Sequence, residues 1–140
     1  MKNISNNTDD HSMIQPFIEI DGLKLSRNGI TQNLNPVYEF DKRSLDRVAL
    51  AREFIRKIMV HSNKFDHNQG SYGLKHDCER AQNEYISNGE FIYAMHLEGY
   101  RIQHVWESSP NCLFNYDYRE FVKRLKLYYP EMAKEYGYIW

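Results

Sequence analysis

The residues of this 140-residue chain with the chemistry for catalysis or metal binding are six histidines, two cysteines and a scatter of carboxylates. Their spacing argues against most of that chemistry. His76 and Cys78 stand two apart on a predicted helix, so they point about 160° apart and cannot share an ion. No helix carries a His-x-x-x-His pair, and the cysteines, Cys78 and Cys112, form no CxxC. His61 and His67 flank a polar loop and could supply half a site. Cys112 follows a loop, and His104 precedes it by about the length of a strand, so a thiol–imidazole approach is geometrically open. No glycine-rich turn opens a helix beside them to form an oxyanion hole or cradle a phosphate. A carboxylate pair would have to come from Glu79, Glu84 or Glu90, which fall near helix surfaces or caps. The expectation is a chain with no catalytic residue, no metal and no cofactor.

Cations offer more. Arg119, Lys123 and Lys126 follow i, i+4, i+7 on one face of the last long predicted helix. Such a stripe is ordinarily a solvated face; its sharper reading is an anchor for a phosphate backbone or an acidic protein surface. Lys75, His76 and Glu79 lie off the Leu74–Cys78–Ala81 seam of their helix, so packing does not demand them. They either lock the joint at Ser87–Asn88 or face a partner. A helix-turn-helix over 74–100 fails twice. Arg80 and Glu84 fall where that motif needs apolar residues, and the second helix is too apolar to read a major groove.

Composition bounds the rest. A net charge of −1, a pI near 6.6, 41% hydrophobic residues and 14% aromatics are values of a folded domain with no global attraction to nucleic acid or anionic membrane. No apolar run approaches the roughly 18 residues of a membrane span. The first ten residues lack a signal-peptide core, so a cytoplasmic protein with reduced thiols is expected.

The elements organise around residues 85–100. Ser87 and Glu90 have the spacing of a capping box, Gly99 stands where a left-handed residue ends a helix, and Tyr100 could close back on Met95. Apolar residues occupy nearly the whole circumference, predicting a buried central helix. Before it, residues 1–14 read as a disordered tail, and Asp21-Gly22 marks a hairpin between Phe17–Ile20 and Leu23–Leu25. Asn28-Gly29 suggests a second turn of the same kind. Asp41 or Ser44 should cap a helix to about Val60, with Arg47 inside its apolar arc either pairing with a core carboxylate or held at a cleft. Ser71 should cap a helix whose seam is Leu74, Cys78, Ala81 and Tyr85. Tyr100 to Trp106 alternates as a strand that could join the amino-terminal ribbon. Asp117 or Asn115 should cap a helix with the stripe Tyr118, Phe121, Val122, Leu125, Tyr128 and Tyr129. Pro130 should open a final short helix stopped by Gly137, ahead of an apolar tip at Tyr138 to Trp140. The expected fold is α+β, mainly helical, with a small antiparallel sheet and a single globular domain over 15–140.

Ser71-Tyr-Gly-Leu-Lys-His76 with Glu79, Tyr85-Ile-Ser-Asn-Gly-Glu-Phe-Ile92, Gly99-Tyr100 and Pro110-Asn111 form a distinctive set. Over residues 70–116, about a third of the chain, it resembles a family of small bacterial proteins of phages, plasmids and integrative elements, a family with no assigned activity. Ile86 replaces the family's valine. The resemblance implies the mobile-element gene pool rather than a chemistry. In that setting the leading expectation is a stoichiometric protein-binding inhibitor of a host or competing defence machine, of the anti-CRISPR type. A nucleic-acid-binding accessory protein using Arg119, Lys123 and Lys126 is second, and a small enzyme third.

Overall fold

A computed structural model describes residues 15–134. The expected tail over 1–14, the Gly137 stop and the apolar tip lie outside the described residues. The chain folds as an α+β domain in which helices pack around a central one and a small sheet covers its amino-terminal end.

Strands β1 (Ile18–Ile20), β2 (Leu23–Ser26) and β3 (Gly29–Thr31) form an antiparallel sheet in that order. Asp21 and Gly22 turn the first hairpin with φ of 50° and 82°, the two left-handed residues that a tight hairpin requires. The second turn is displaced by one residue from Asn28-Gly29. Ser26 pairs with Gly29, leaving Arg27-Asn28 at the tip. Gly29 is needed inside the strand instead: a Cβ there would collide with the Pro110 carbonyl oxygen and the Asn88 amide.

Helix α1 (Ser44–Ile58) buries Val48, Ala51, Phe54, Ile55 and Ile58. Neither Asp41 nor Ser44 is its N-cap. That position is Arg43, with no side-chain cap, because the Asp41 carboxylate turns to the Arg43 N–H and to Arg47. The helix stops two residues before Val60, whose carbonyl accepts the Asp117 N–H.

Helix α2 (Ser71–Gln82) starts from Gly70 rather than from a Ser71 cap. The Ser71 hydroxyl is drawn off to accept the Cys112 N–H at 3.2 Å, while the Ser71 N–H donates to the Cys112 carbonyl. Asn83, with φ of 53°, ends the helix. Tyr85 therefore leaves the expected seam and is half-exposed.

Helix α3 (Asn88–Leu97) has both halves of the capping box: Ser87 accepts from the Glu90 N–H, and Glu90 accepts from the Ser87 N–H. At its other end the Tyr100 N–H reaches the Met95 carbonyl and the Gly99 N–H the His96 carbonyl, the paired bonds of a Schellman motif. Phe91, Ile92, Ala94 and Met95 are fully buried. The helix is less enclosed than its composition suggests, since Tyr93 is only partly buried and Leu97 is exposed.

The expected strand from Tyr100 to Trp106 shrinks to β4 (Ile102–Gln103). It pairs with β5 (Leu113–Phe114), not with the amino-terminal ribbon. The cause is local. The Asn115 side chain takes the Arg101 N–H, and His104 Nε2 bonds the Ser109 carbonyl, which curls the chain into a loop after Gln103. Helix α4 (Tyr118–Tyr128) is capped by the Asp117 carboxylate, and α5 (Pro130–Ala133) begins on its proline. Phe121, Val122 and Leu125 face the core, but Tyr128 is half-exposed, outside the buried stripe assigned to it.

Candidate interaction surface

The residues with chemical potential are mostly engaged in holding the interior together. Glu90 has no exposed surface. Its oxygens accept from Ser44 Oγ at 2.6 Å, from Arg47 Nε at 2.9 Å and from the Ser87 N–H at 2.9 Å. Arg47 continues to Asp41, at 2.8 Å from Nη2. Burial opposes the arginine's charge, yet the bonds and charges of Glu90 and Asp41 outweigh it and raise the guanidinium pKa. Asp41 shows the converse. Its partial burial pushes upward, but bonds from Arg43 and Arg47 and the charges of Arg47 and Arg27 hold it below the usual carboxylate range. Arg47 thus pairs with a core carboxylate.

Lys75, His76 and Glu79 gather at the joint between α2 and α3. Glu79 accepts from Lys75 Nζ at 3.2 Å and from the Ile86 N–H at 3.1 Å, and His76 Nδ1 lies 3.0 Å from its other oxygen. Lys75 is buried, its ammonium 5.3 Å from the Tyr72 ring centre and 5.4 Å from that of Tyr85. Arg47 lies 5.6 Å from the same Tyr85 ring, so one aromatic side chain bridges the two buried cations.

The Ser-Asn-Gly run has a physical account as well. Asn88 Nδ2 donates to the Pro110 carbonyl at 3.1 Å and to Asn111 Oδ1 at 3.0 Å. Its Oδ1 is buried with no hydrogen-bond partner among the described residues. The Gly89 N–H donates to the Arg27 carbonyl, and a Cβ at Gly89 would land on the Ser26 carbonyl oxygen. The resemblance residues therefore fasten α3 to the β2–β3 turn and to the Pro110 loop.

The thiols are withdrawn from chemistry. Cys78 and Cys112 are both free and buried. Burial pushes the Cys112 thiol up to about 12, against a small opposing effect of Ser71, and raises Cys78 further, helped by the charges of Glu79 and Asp77. A thiol so raised holds almost no thiolate at neutral pH.

On α4, Arg119, Lys123 and Lys126 are exposed. The stripe is diluted, because Glu120 lies 3.5 Å from Lys123 and 3.9 Å from Arg124. The two sets of sequence-derived site residues lie on different helices, the trio on α2 and this stripe on α4.

A concave surface lies elsewhere, between two loops. Pro36, Val37 and Tyr38 form one wall and Glu107, Ser108 and Pro110 the other; Ile30, Thr31 and the Asn28 and Gln32 amides also line it, around about 470 Å³. Val105, Trp106 and Ser109, from the far side of the same loop, line a second cavity of about 180 Å³. Large apolar side chains stand uncovered along these walls: Val37 is 80% and Trp106 69% exposed, with Leu34, Tyr38 and Val105 beside them in sequence. Sequence reasoning missed this cluster. The usable signals were Leu34 and Val37 flanking Asn35-Pro36 with no periodic element to absorb them, and Trp106 running straight into Ser108-Ser-Pro110.

No family model, curated protein or solved structure matches the chain. The functional reading therefore stands on the surface itself. No helix is long and apolar enough to cross a membrane among the described residues.

Proposed function

We propose that this chain is a small non-catalytic binding protein whose target is another protein, engaged through the groove between residues 34–38 and 105–110. The observation that carries the reading is the exposure of Val37 and Tyr38 in the lining of one cavity and of Trp106 in that of another, the 105–111 loop contributing to both. Tryptophan and tyrosine are the side chains most enriched among binding hot spots, and clustered exposed apolar surface marks interaction sites. Supporting it, Glu90, Lys75, Glu79 and both thiols are tied into the fold by hydrogen bonds or burial. The signature residues support a mobile-element setting, and the amino-terminal sequence, without a signal-peptide core, supports a cytoplasmic site of action. There we read the chain as a stoichiometric inhibitor of a host or competing defence machine, of the anti-CRISPR type.

A second reading, a nucleic-acid-binding accessory protein, draws on the exposure of Arg119, Lys123 and Lys126. Glu120 weakens it by placing a carboxylate within the same turns.

The experiment is capture by the immobilised full chain from nuclease-treated host extract, followed by purification of the complex. The first reading expects one discrete protein at fixed stoichiometry, retained at moderate salt. Retention of nucleic acid alone before nuclease treatment, with a log–log salt slope of about −2 to −3 for three phosphate contacts, supports the second and overturns the first.

A further inference from the structure

We propose that the groove receives an extended, cationic segment of the partner, which pairs with the outward Ile30 carbonyl of β3 beyond the Pro110 contact. This deepens the protein-binding reading and rests on it.

β3 pairs only with β2 among the described strands, with Ile30 opposite Leu25. The Ile30 N–H turns away from β2 and donates to the Pro110 carbonyl at 3.0 Å. In an extended strand the N–H and C=O of one residue point to the same side. The Ile30 carbonyl therefore faces the groove. No described hydrogen bond reaches it. Pro110 stands where an incoming strand's first acceptor would stand, but a proline has no N–H to return to the edge. The sheet is stoppered at one point and open beyond it.

The two edges of this sheet are defended differently. On β1 the residue facing outward is Glu19, opposite Lys24, and a charged edge discourages further pairing. β3 is Gly-Ile-Thr, without a charge. Its edge opens into a cleft of a size usual for ligand sites. The lining suits a peptide main chain beside apolar side chains: the Asn28, Gln32 and Asn33 amides can bond peptide groups, and Pro36, Val37 and Tyr38 offer an apolar wall. Among the described lining residues Glu107 carries the one charge. An occupant complementary to all of these is a β-strand with apolar residues and a Lys or Arg placed for Glu107. Strand addition of this kind takes affinity from main-chain bonds and specificity from alternate side chains.

The test selects a random linear dodecapeptide display library on the full chain and measures the winning synthetic peptides against three proteins. These are the wild type, Val37→Asp and Glu107→Lys, each checked by its melting curve. Enriched peptides should carry Lys or Arg among β-branched residues and lack an interior proline. Their binding should perturb the Ile30, Gln32 and Glu107 amide resonances and fall about tenfold or more in Val37→Asp. Reselection on Glu107→Lys should turn the enrichment to Asp and Glu. The proposal is overturned by a library yielding no binder, by peptides that tolerate proline at every position, or by equal affinity for Val37→Asp. It is also overturned if β3 edges of two copies pair, seen as a dimer whose contacts include Ile30. A partner captured through Trp106 by a chain that ignores every peptide removes strand addition and leaves the binding reading intact.

Discussion

Arg47 on α1 and Glu90 on α3 meet at 2.9 Å, and Glu90 is at the same time the capping-box carboxylate of α3. One side chain thus caps the start of a helix and joins it to its neighbour. Breaking a buried pair costs about 3–5 kcal/mol, because the survivor keeps an uncompensated charge. Arg47→Met should lose that amount in urea unfolding. Adding Glu90→Gln should restore part of it, since the amide is uncharged and its oxygen can still accept from Ser87 or Ser44. Equal losses in the single and double variants would show that the pair does not act as a unit.

Gly89 lies in the first turn of α3, where helix propensity alone favours alanine by up to about 1 kcal/mol. The Ser26 carbonyl reverses that sign, since the added methyl has no space between α3 and the β2–β3 turn. Gly89→Ala should lower the melting midpoint and cost about 1–3 kcal/mol. A more stable variant would detach the helix start from the sheet.

Much of α3 was legible in the sequence because its signals are local. Ser87 and Glu90 are three residues apart, and Gly99 and Tyr100 follow the helix directly, so neighbouring residues alone specify both ends. Arg47 was half legible: its place in an apolar arc demanded a partner, and only the tertiary fold showed that partner to be Glu90. The strand at Tyr100 was misjudged because its length depends on Asn115 and Ser109, which bend the chain after Gln103. Ser71 was misjudged in the same way, its hydroxyl diverted to Cys112. The groove was the least legible. Val37 and Glu107 are seventy positions apart, and periodicity says nothing about two loops that face each other.

Glu98 sets an acid limit. Burial would raise its pKa, but bonds from Arg52 at 2.6 Å and Arg56 at 3.0 Å, with their charges, hold it below the ordinary value of 4.5. Asp41 is lowered likewise from 3.8. A carboxyl lowered on folding contributes stability that is fully present above its unfolded pKa and lost as pH falls through the folded one. Unfolding free energy should therefore be level with respect to these groups above about pH 5 and decline below about 4.5. Glu98→Gln should be less stable at neutral pH and converge on the wild type in acid. A parallel decline in both proteins would remove Glu98 as a source of the acid limit.

Lys75 separates a structural from a partner-facing role at the α2–α3 joint. It is buried between the Tyr72 and Tyr85 rings and bound to Glu79. Lys75→Ala should lose about 1–3 kcal/mol through lost packing and the lost ammonium bond to Glu79. An unchanged melt together with lost partner capture would assign the residue to the interface instead.

The most direct measurement compares two surfaces on one folded domain. One variant carries Val37→Asp and Trp106→Ala; the other carries Glu at positions 119, 123 and 126. Both sets of side chains are exposed, so both variants should melt within a few degrees of the wild type. The dissociation constant of the captured protein partner is then measured for each by calorimetry at physiological salt. The expected result is a loss of about 30-fold or more in the groove variant and little change in the α4 variant. Full affinity in the groove variant, with binding lost in the α4 variant, would contradict the groove as the binding site and transfer the function to the basic stripe.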